Sequence, residues 1–241
     1  MRKRIENEIE HGKKLLSEGA ESVWNWDSPA GKRRADRRAQ YFIDLANIKS
    51  GDKVLEIGCG TGLFTRKFYA ATKATIVAID ISEDLLTEAR KLLPEVTFKS
   101  DDAMHMSFQN AEFDVVFGSS VLHHLEFDSS LKEIYRVLKP GGRMIFAEPN
   151  MINPQIFIQK NIPIIKKWLG DSPDETAIIR WTFSKLMTRL GFKKVKIFPY
   201  DFLHPIVPKP FISTVEVIGK VIEQTPIIRE IAGSVIIFGE K

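Results

Sequence analysis

Residues 54–62, Val-Leu-Glu-Ile-Gly-Cys-Gly-Thr-Gly, set glycines at 58, 60 and 62 directly behind an apolar run. Glycine lets the backbone take positive φ and approach a ligand closely, and a helix starting near Leu63 aims its free N–H groups at that ligand. The chemistry implied is that of a nucleotide-type cofactor. A dinucleotide fingerprint places another glycine five residues after the first, but Leu63 stands there and the acidic Glu56 lies inside the strand end. Asp80 follows the apolar run Thr75-Ile-Val-Ala-Ile79, where nucleotide-binding α/β folds put a carboxylate on ribose hydroxyls. The alternative role for Asp80, a helix N-cap, suits Ser82 better, because Glu83 and Asp84 fill a first turn behind it. Groups fit for proton transfer follow later apolar runs: His123 and His124, Glu148, and the trio Tyr200, Asp201 and His204. A histidine at such a place serves as a general base or simply as a packed, hydrogen-bonded residue.

The elements that must position these residues read as seven strands, near 54–57, 75–79, 96–100, 113–117, 143–147, 194–198 and 234–238. Helices fall between them, including 129–138, where Leu131, Ile134, Val137 and Leu138 share one face, and 182–190. A chain of 241 residues with 44% hydrophobic content suits a single domain with additions. The N-terminus lacks an apolar signal core and no apolar run approaches the roughly 18 residues that span a bilayer, so a cytoplasmic protein is expected. One cysteine, Cys59, excludes an intramolecular disulfide and a cysteine-cluster metal site. No metal is expected, although His123, Glu148 and His204 could converge on one.

Glu56-x-Gly-x-Gly-x-Gly62, the strand-end Asp80, Asp102-Ala103, the segment Gly118–Leu125 and the turn Leu138-Lys-Pro-Gly-Gly142 occur in the order and spacing of one family. Residues 51–150 resemble the class I S-adenosylmethionine (SAM)-dependent methyltransferases of the small-molecule type. The resemblance implies SAM as cofactor and S-adenosylhomocysteine as product. Gly58, Cys59, Gly60 and Gly62 would hold the methionyl end and Glu56 its ammonium group. Asp80 and Ile81 would serve the ribose, Asp102 and Ala103 the adenine, with Ser119 also on the cofactor and Asp101 left to solvent. We expect a doubly wound, mostly parallel seven-stranded α/β sheet, Rossmann-like, with an antiparallel last strand. Methyl transfer is an in-line displacement that asks mainly for alignment in a dry site. If the acceptor must lose a proton, His123, His124 and Glu148 are the candidate bases. A non-catalytic SAM-binding protein and, less favoured, a nicotinamide-dependent oxidoreductase are the alternatives.

Formal charge +4 and pI near 9.0 fit an anionic partner without requiring one. Arg33, Arg34, Arg37 and Arg38 recur at helical spacing opposite an apolar stripe, and a solvated helix face is the plain reading. Nucleic acid is not expected, since no recognisable module is present. Three departures from a minimal domain bear on the acceptor: the extension 1–50 with its paired Trp24 and Trp26, and the apolar insertions 151–180 and 202–232. Both insertions leave the carboxyl edge of the sheet, where open α/β sheets place their sites. They are expected to cap the site over a small, hydrophobic acceptor, with Trp26, Trp168, Tyr200, His204 and Phe211 as contacts. Mutual packing, a peripheral membrane contact and a homodimer interface are the other uses open to them.

Overall fold

The computed structural model describes residues 2–169 and 175–241; the 170–174 part of the first insertion, Pro173 included, lies outside them. Strands β1 (Lys53–Ile57), β2 (Thr75–Asp80), β3 (Thr97–Ser100), β4 (Phe113–Ser119), β5 (Leu138–Pro149), β6 (Lys193–Tyr200) and β7 (Ser234–Glu240) form one sheet in the order β3-β2-β1-β4-β5-β7-β6. Only β7 runs antiparallel, between β5 and β6, as expected for the last strand. The strand order reverses between β1 and β4, so the loops behind those two strands part and leave a crevice at the carboxyl edge.

Helices α1 (Arg2–Glu18), α2 (Ala20–Val23) and α3 (Pro29–Ala46) form the extension, followed by α4 (Leu63–Thr72), α5 (Glu83–Leu92) and α6 (Phe127–Val137). The insertions supply α7 (Pro154–Asn161), α8 (Pro163–Trp168) and α10 (Ile212–Gln224), with α9 (Arg180–Arg189) between them. The period-2 alternation of the strands divides the core: Val115 and Phe117 face α3 and α4, while Val116 faces α6 and α9. Phe117 stacks on Phe68 with ring centroids 4.0 Å apart. Ser82 caps α5 by accepting from the Leu85 N–H, as its sequence position indicates. Helix α6 starts two residues earlier than the apolar spacing suggests because the Glu126 carboxylate accepts from the N–H groups of Asp128 and Ser129.

The arginine face of α3 corrects the expectation of a solvated stripe. Arg33 pairs with Glu216 at 2.9 Å, Arg34 with Asp201 at 2.7 Å, and Arg37 with Glu223. These acids stand on α10 and just behind β6, so folding lays the second insertion along α3 and draws three of the four guanidinium groups into ion pairs. Arg38 is buried and is treated with the site below.

The layering sets an expected contrast in urea denaturation. Phe117→Ala should cost about 3–5 kcal/mol by opening a cavity between layers, whereas Phe211→Ala, at an exposed position, should stay within about 0.5 kcal/mol.

Candidate active site

A cavity of about 850 Å³ occupies the crevice, enough for a cofactor and a second small molecule. Its floor is the β1 loop, and Gly58 and Gly60 hold φ of +67° and +54° there. A side chain at 58 would meet Val121 at 2.4 Å, and one at 60 would meet Trp24 at 2.8 Å. Neighbouring side chains therefore demand these glycines as strictly as the backbone turn does. Cys59 also faces the cavity, but burial pushes its thiol pKa up, which suits packing and not thiolate chemistry. Gly62 begins α4 with φ +81° and faces Ala89 and Phe98, away from the cavity.

Asp80 closes the loop: its carboxylate accepts from the Gly60 N–H at 2.9 Å and the Ser82 N–H at 3.0 Å. Burial raises its pKa against these hydrogen bonds, and the group lines the cavity beside Ile81. Asp102, Ala103 and Ser119 line it too. Asp101 is not left to solvent: its carboxylate accepts from the Ser107 N–H and hydroxyl, and the residue joins the lining. Glu56 is placed beneath the loop, where it accepts from the Thr65 hydroxyl at 2.5 Å. It does not reach the cavity wall, and burial pushes its pKa up to about 8.

Arg38, only 2% exposed, also lines the cavity. It donates to the hydroxyls of Tyr200 (2.8 Å), Ser119 (2.8 Å), Ser120 (3.0 Å) and Ser234 (3.2 Å), and its guanidinium lies 4.9 Å from the Trp26 ring centre. No carboxylate pairs with it among the described residues. A buried cation satisfied only by neutral hydroxyls keeps its charge available to an anion in the cavity. The sequence placed Arg38 in a surface stripe, and the hydroxyls that bury it come from 81 to 196 residues away.

Past the cofactor-type residues stands a 3₁₀ turn, Leu122–His124. Buried Glu148 at the end of β5 accepts from the N–H groups of Val121 (3.0 Å) and Leu122 (2.9 Å) and lies 2.7 Å from His123 Nδ1. The imidazole therefore carries its proton on Nδ1 and leaves Nε2 as a lone-pair site. Burial and the neighbouring His124 lower the His123 pKa in spite of Glu148. His124 goes the other way. Burial alone would lower its pKa, but Glu8 at 3.3 Å and Glu175 at 3.7 Å outweigh it and raise the value. Glu175 in turn is held down to about 2 because His124 and Lys160 outweigh its burial. Neither Glu8, on α1, nor Glu175 carries a local sequence signal for this meeting.

Ligand-type atoms of His123, His124 and Glu175 lie within 4.8 Å of one another, but the Lys160 ammonium sits 2.5 Å from the same Glu175 carboxylate and already supplies a cation. His204, the other sequence candidate for such a cluster, lies beside Gln155 instead. Of the expected acceptor contacts, Trp26 and His204 line the cavity. Tyr200 is buried behind Arg38, and Trp168 and Phe211 point outward, so the structure does not bring these three to the wall. Helix α1 roofs the cavity through Glu8, His11, Gly12 and Leu15, and Trp24 covers the loop.

A family model described as a methyltransferase domain matches residues 54–142. Over 207 residues the chain is 30% identical to a demethylmenaquinone methyltransferase of Lactobacillus johnsonii, covering 76% of this chain and 79% of that one. The chain belongs to the class I SAM-dependent methyltransferases. It is also 28% identical over 163 residues to an uncharacterised methyltransferase-like protein of Schizosaccharomyces pombe, covering 68% of this chain and spanning 60% of that relative's length. A SAM-dependent methyltransferase of Archaeoglobus fulgidus shares the fold, with a TM-score of 0.62 and 20% identity over 87% of this chain and 94% of that one.

SAM is accordingly the cofactor of this methyltransferase, and the residues fit it. The cavity offers a carboxylate for a ribose diol at Asp80 and a cation for an α-carboxylate at Arg38. By calorimetry, Asp80→Ala and Arg38→Gln should each weaken SAM binding by about 1–3 kcal/mol through lost charge-assisted hydrogen bonds, and NAD should not bind. Parent-like affinity in either variant would remove that residue from the cofactor site.

Proposed function

We propose that this methyltransferase acts on a small, hydrophobic, lipid-like acceptor, with His123 taking the proton the acceptor gives up. The carrying observation is the make-up of the cavity wall: both insertions contribute apolar side chains to it, Ile156 and Leu169 from the first and Phe202, Leu203 and Ile206 from the second. The Lactobacillus johnsonii relative, whose name gives demethylmenaquinone as its substrate, supports an acceptor of this class. Such molecules partition into bilayers, so the reading is consistent with peripheral membrane contact without requiring it. No described helix is long and apolar enough to cross a membrane.

SAM supplies a methyl group on a sulfonium centre. The chain's own work is to hold the acceptor in line, exclude water and receive one proton. His123 is built to receive it, because its Nδ1–H is committed to Glu148, its Nε2 has no hydrogen-bond partner among the described residues, and its lowered pKa keeps it neutral near pH 7. His124 is held towards its charged form by Glu8 and Glu175 and lacks a lone pair when charged. Glu148 spends its oxygens on backbone N–H groups and the His123 ring, which makes it a positioning residue for that ring. Trp26 and His204 line the cavity and are taken as acceptor contacts in this reading.

Transfer of tritium from methyl-labelled SAM to lipid and to polar extracts tests the acceptor class; label in the organic phase is expected, and label confined to the polar extract would overturn it. With an acceptor in hand, His123→Ala should lower turnover about 10²–10⁴-fold while SAM affinity holds. A base must be deprotonated to work, so kcat/KM should be flat at neutral pH and fall with acidification through a pKa below the ordinary imidazole value of 6.5. An unchanged rate in His123→Ala would remove it as the base.

A further inference from the structure

The two insertions carry more apolar surface than the cavity uses. Eighteen large apolar side chains are exposed among the described residues, and fifteen of them lie in 151–180 and 202–232, the exceptions being Val23, Leu92 and Trp181. Trp168 is 83% exposed and Ile227 85%, with Ile164, Ile206, Phe211 and Val221 also open. The insertions stand side by side: the Asn153 amide donates to the Ile231 carbonyl at 2.8 Å, and Arg180 pairs with Glu230 at 2.8 Å. Scattered exposed hydrophobic residues need no explanation, but confinement to one pair of adjacent segments does.

The charges of the same segments indicate what covers them. Each of their four described glutamates is turned inward to a cation: Glu175 to Lys160, Glu216 to Arg33, Glu223 to Arg37 and Glu230 to Arg180. Lys167, Lys209 and Lys220 are exposed and pair with no carboxylate among the described residues. Among the described residues, acids are thus withdrawn from a face that keeps these three lysines exposed. A second copy docked by two-fold symmetry would set that cationic face against itself. An anionic lipid surface accepts both parts, the apolar side chains at the acyl boundary and the ammonium groups among its headgroups. Leu169 and Ile206 are at once exposed and part of the cavity lining, so the apolar face is continuous with the cavity wall.

We propose that the face built by the two insertions docks on an anionic phospholipid bilayer and turns the mouth of the cavity toward it. The docking surface stands on exposure and charge alone; the delivery of an acceptor through that mouth rests on the lipid-like reading above.

The test is sedimentation of the full chain with vesicles of phosphatidylcholine alone and of phosphatidylcholine mixed with phosphatidylglycerol, with SAM affinity measured by calorimetry as the check on folding. Binding should favour the mixed vesicles and weaken with salt. Trp168→Ser should reduce partition about tenfold, and Lys209→Gln and Lys220→Gln about fivefold each, all with SAM affinity unchanged. Partition that ignores lipid charge and all three substitutions would overturn the proposal. So would absence of vesicle binding together with a dimer that Trp168→Ser dissociates, since a second copy would then cover the face. A chain that labels lipid in detergent yet ignores vesicles overturns the docking surface alone and leaves the acceptor reading standing. Vesicle binding without any labelled lipid supports the docking surface and sinks that acceptor reading.

Discussion

A guanidinium removed from water costs several kcal/mol unless its donors are met, and Arg38 meets them with hydroxyls from β4, β6 and β7. That arrangement fixes α3 across one edge of the sheet, at the ends of β4 and β6 and the start of β7, and with α3 come the ion pairs that lay α10 against it. The helical extension is for this reason built into the site and not appended to it. Because the partners are neutral, burial is satisfied while the charge is left uncancelled at the cavity wall.

Two adjacent histidines show how placement divides roles within one turn. His123 faces a carboxylate that is shared with backbone N–H groups and stays neutral in a buried setting. Its neighbour meets two carboxylates, one from α1 and one from the first insertion, and their attraction outweighs the same burial. The identical side chain is thus poised to accept a proton at one position and to hold one at the next.

The cofactor loop was legible because its signals are local: glycines, strand-end acids and a helix start occur within a few residues of each other, and the seven-stranded sheet with its antiparallel last strand was legible with them. What failed to show were meetings across the chain. The partners of Arg33, Arg34 and Arg37 lie 183, 167 and 186 residues away, so a face made to pair with them looks like any solvated stripe. Glu56 has the right position for an ammonium partner, yet the Thr65 hydroxyl on α4 draws it below the loop. Composition marked the insertions as apolar, but the direction of each side chain depends on what folds beside it. Ile156 and Phe202 turn in, while Trp168 and Phe211 of the same segments turn out.

The roof over the cavity is attached to the elements around the cofactor loop. Helix α1 anchors through Leu15, clustered with Ala20 of α2 and Leu85 of α5, and through the pair of Glu8 with His124, and Gly12 approaches Ser82 so closely that a Cβ there would lie 2.5 Å from its hydroxyl oxygen. Each of these contacts is with α2, α5, the cap of α5 or the 3₁₀ turn, and none of them is with a strand. If spent cofactor leaves by way of the roof, the contacts that must break are those of the first helix and not those of the sheet, so the pace of exchange would be set apart from the residues that perform the chemistry.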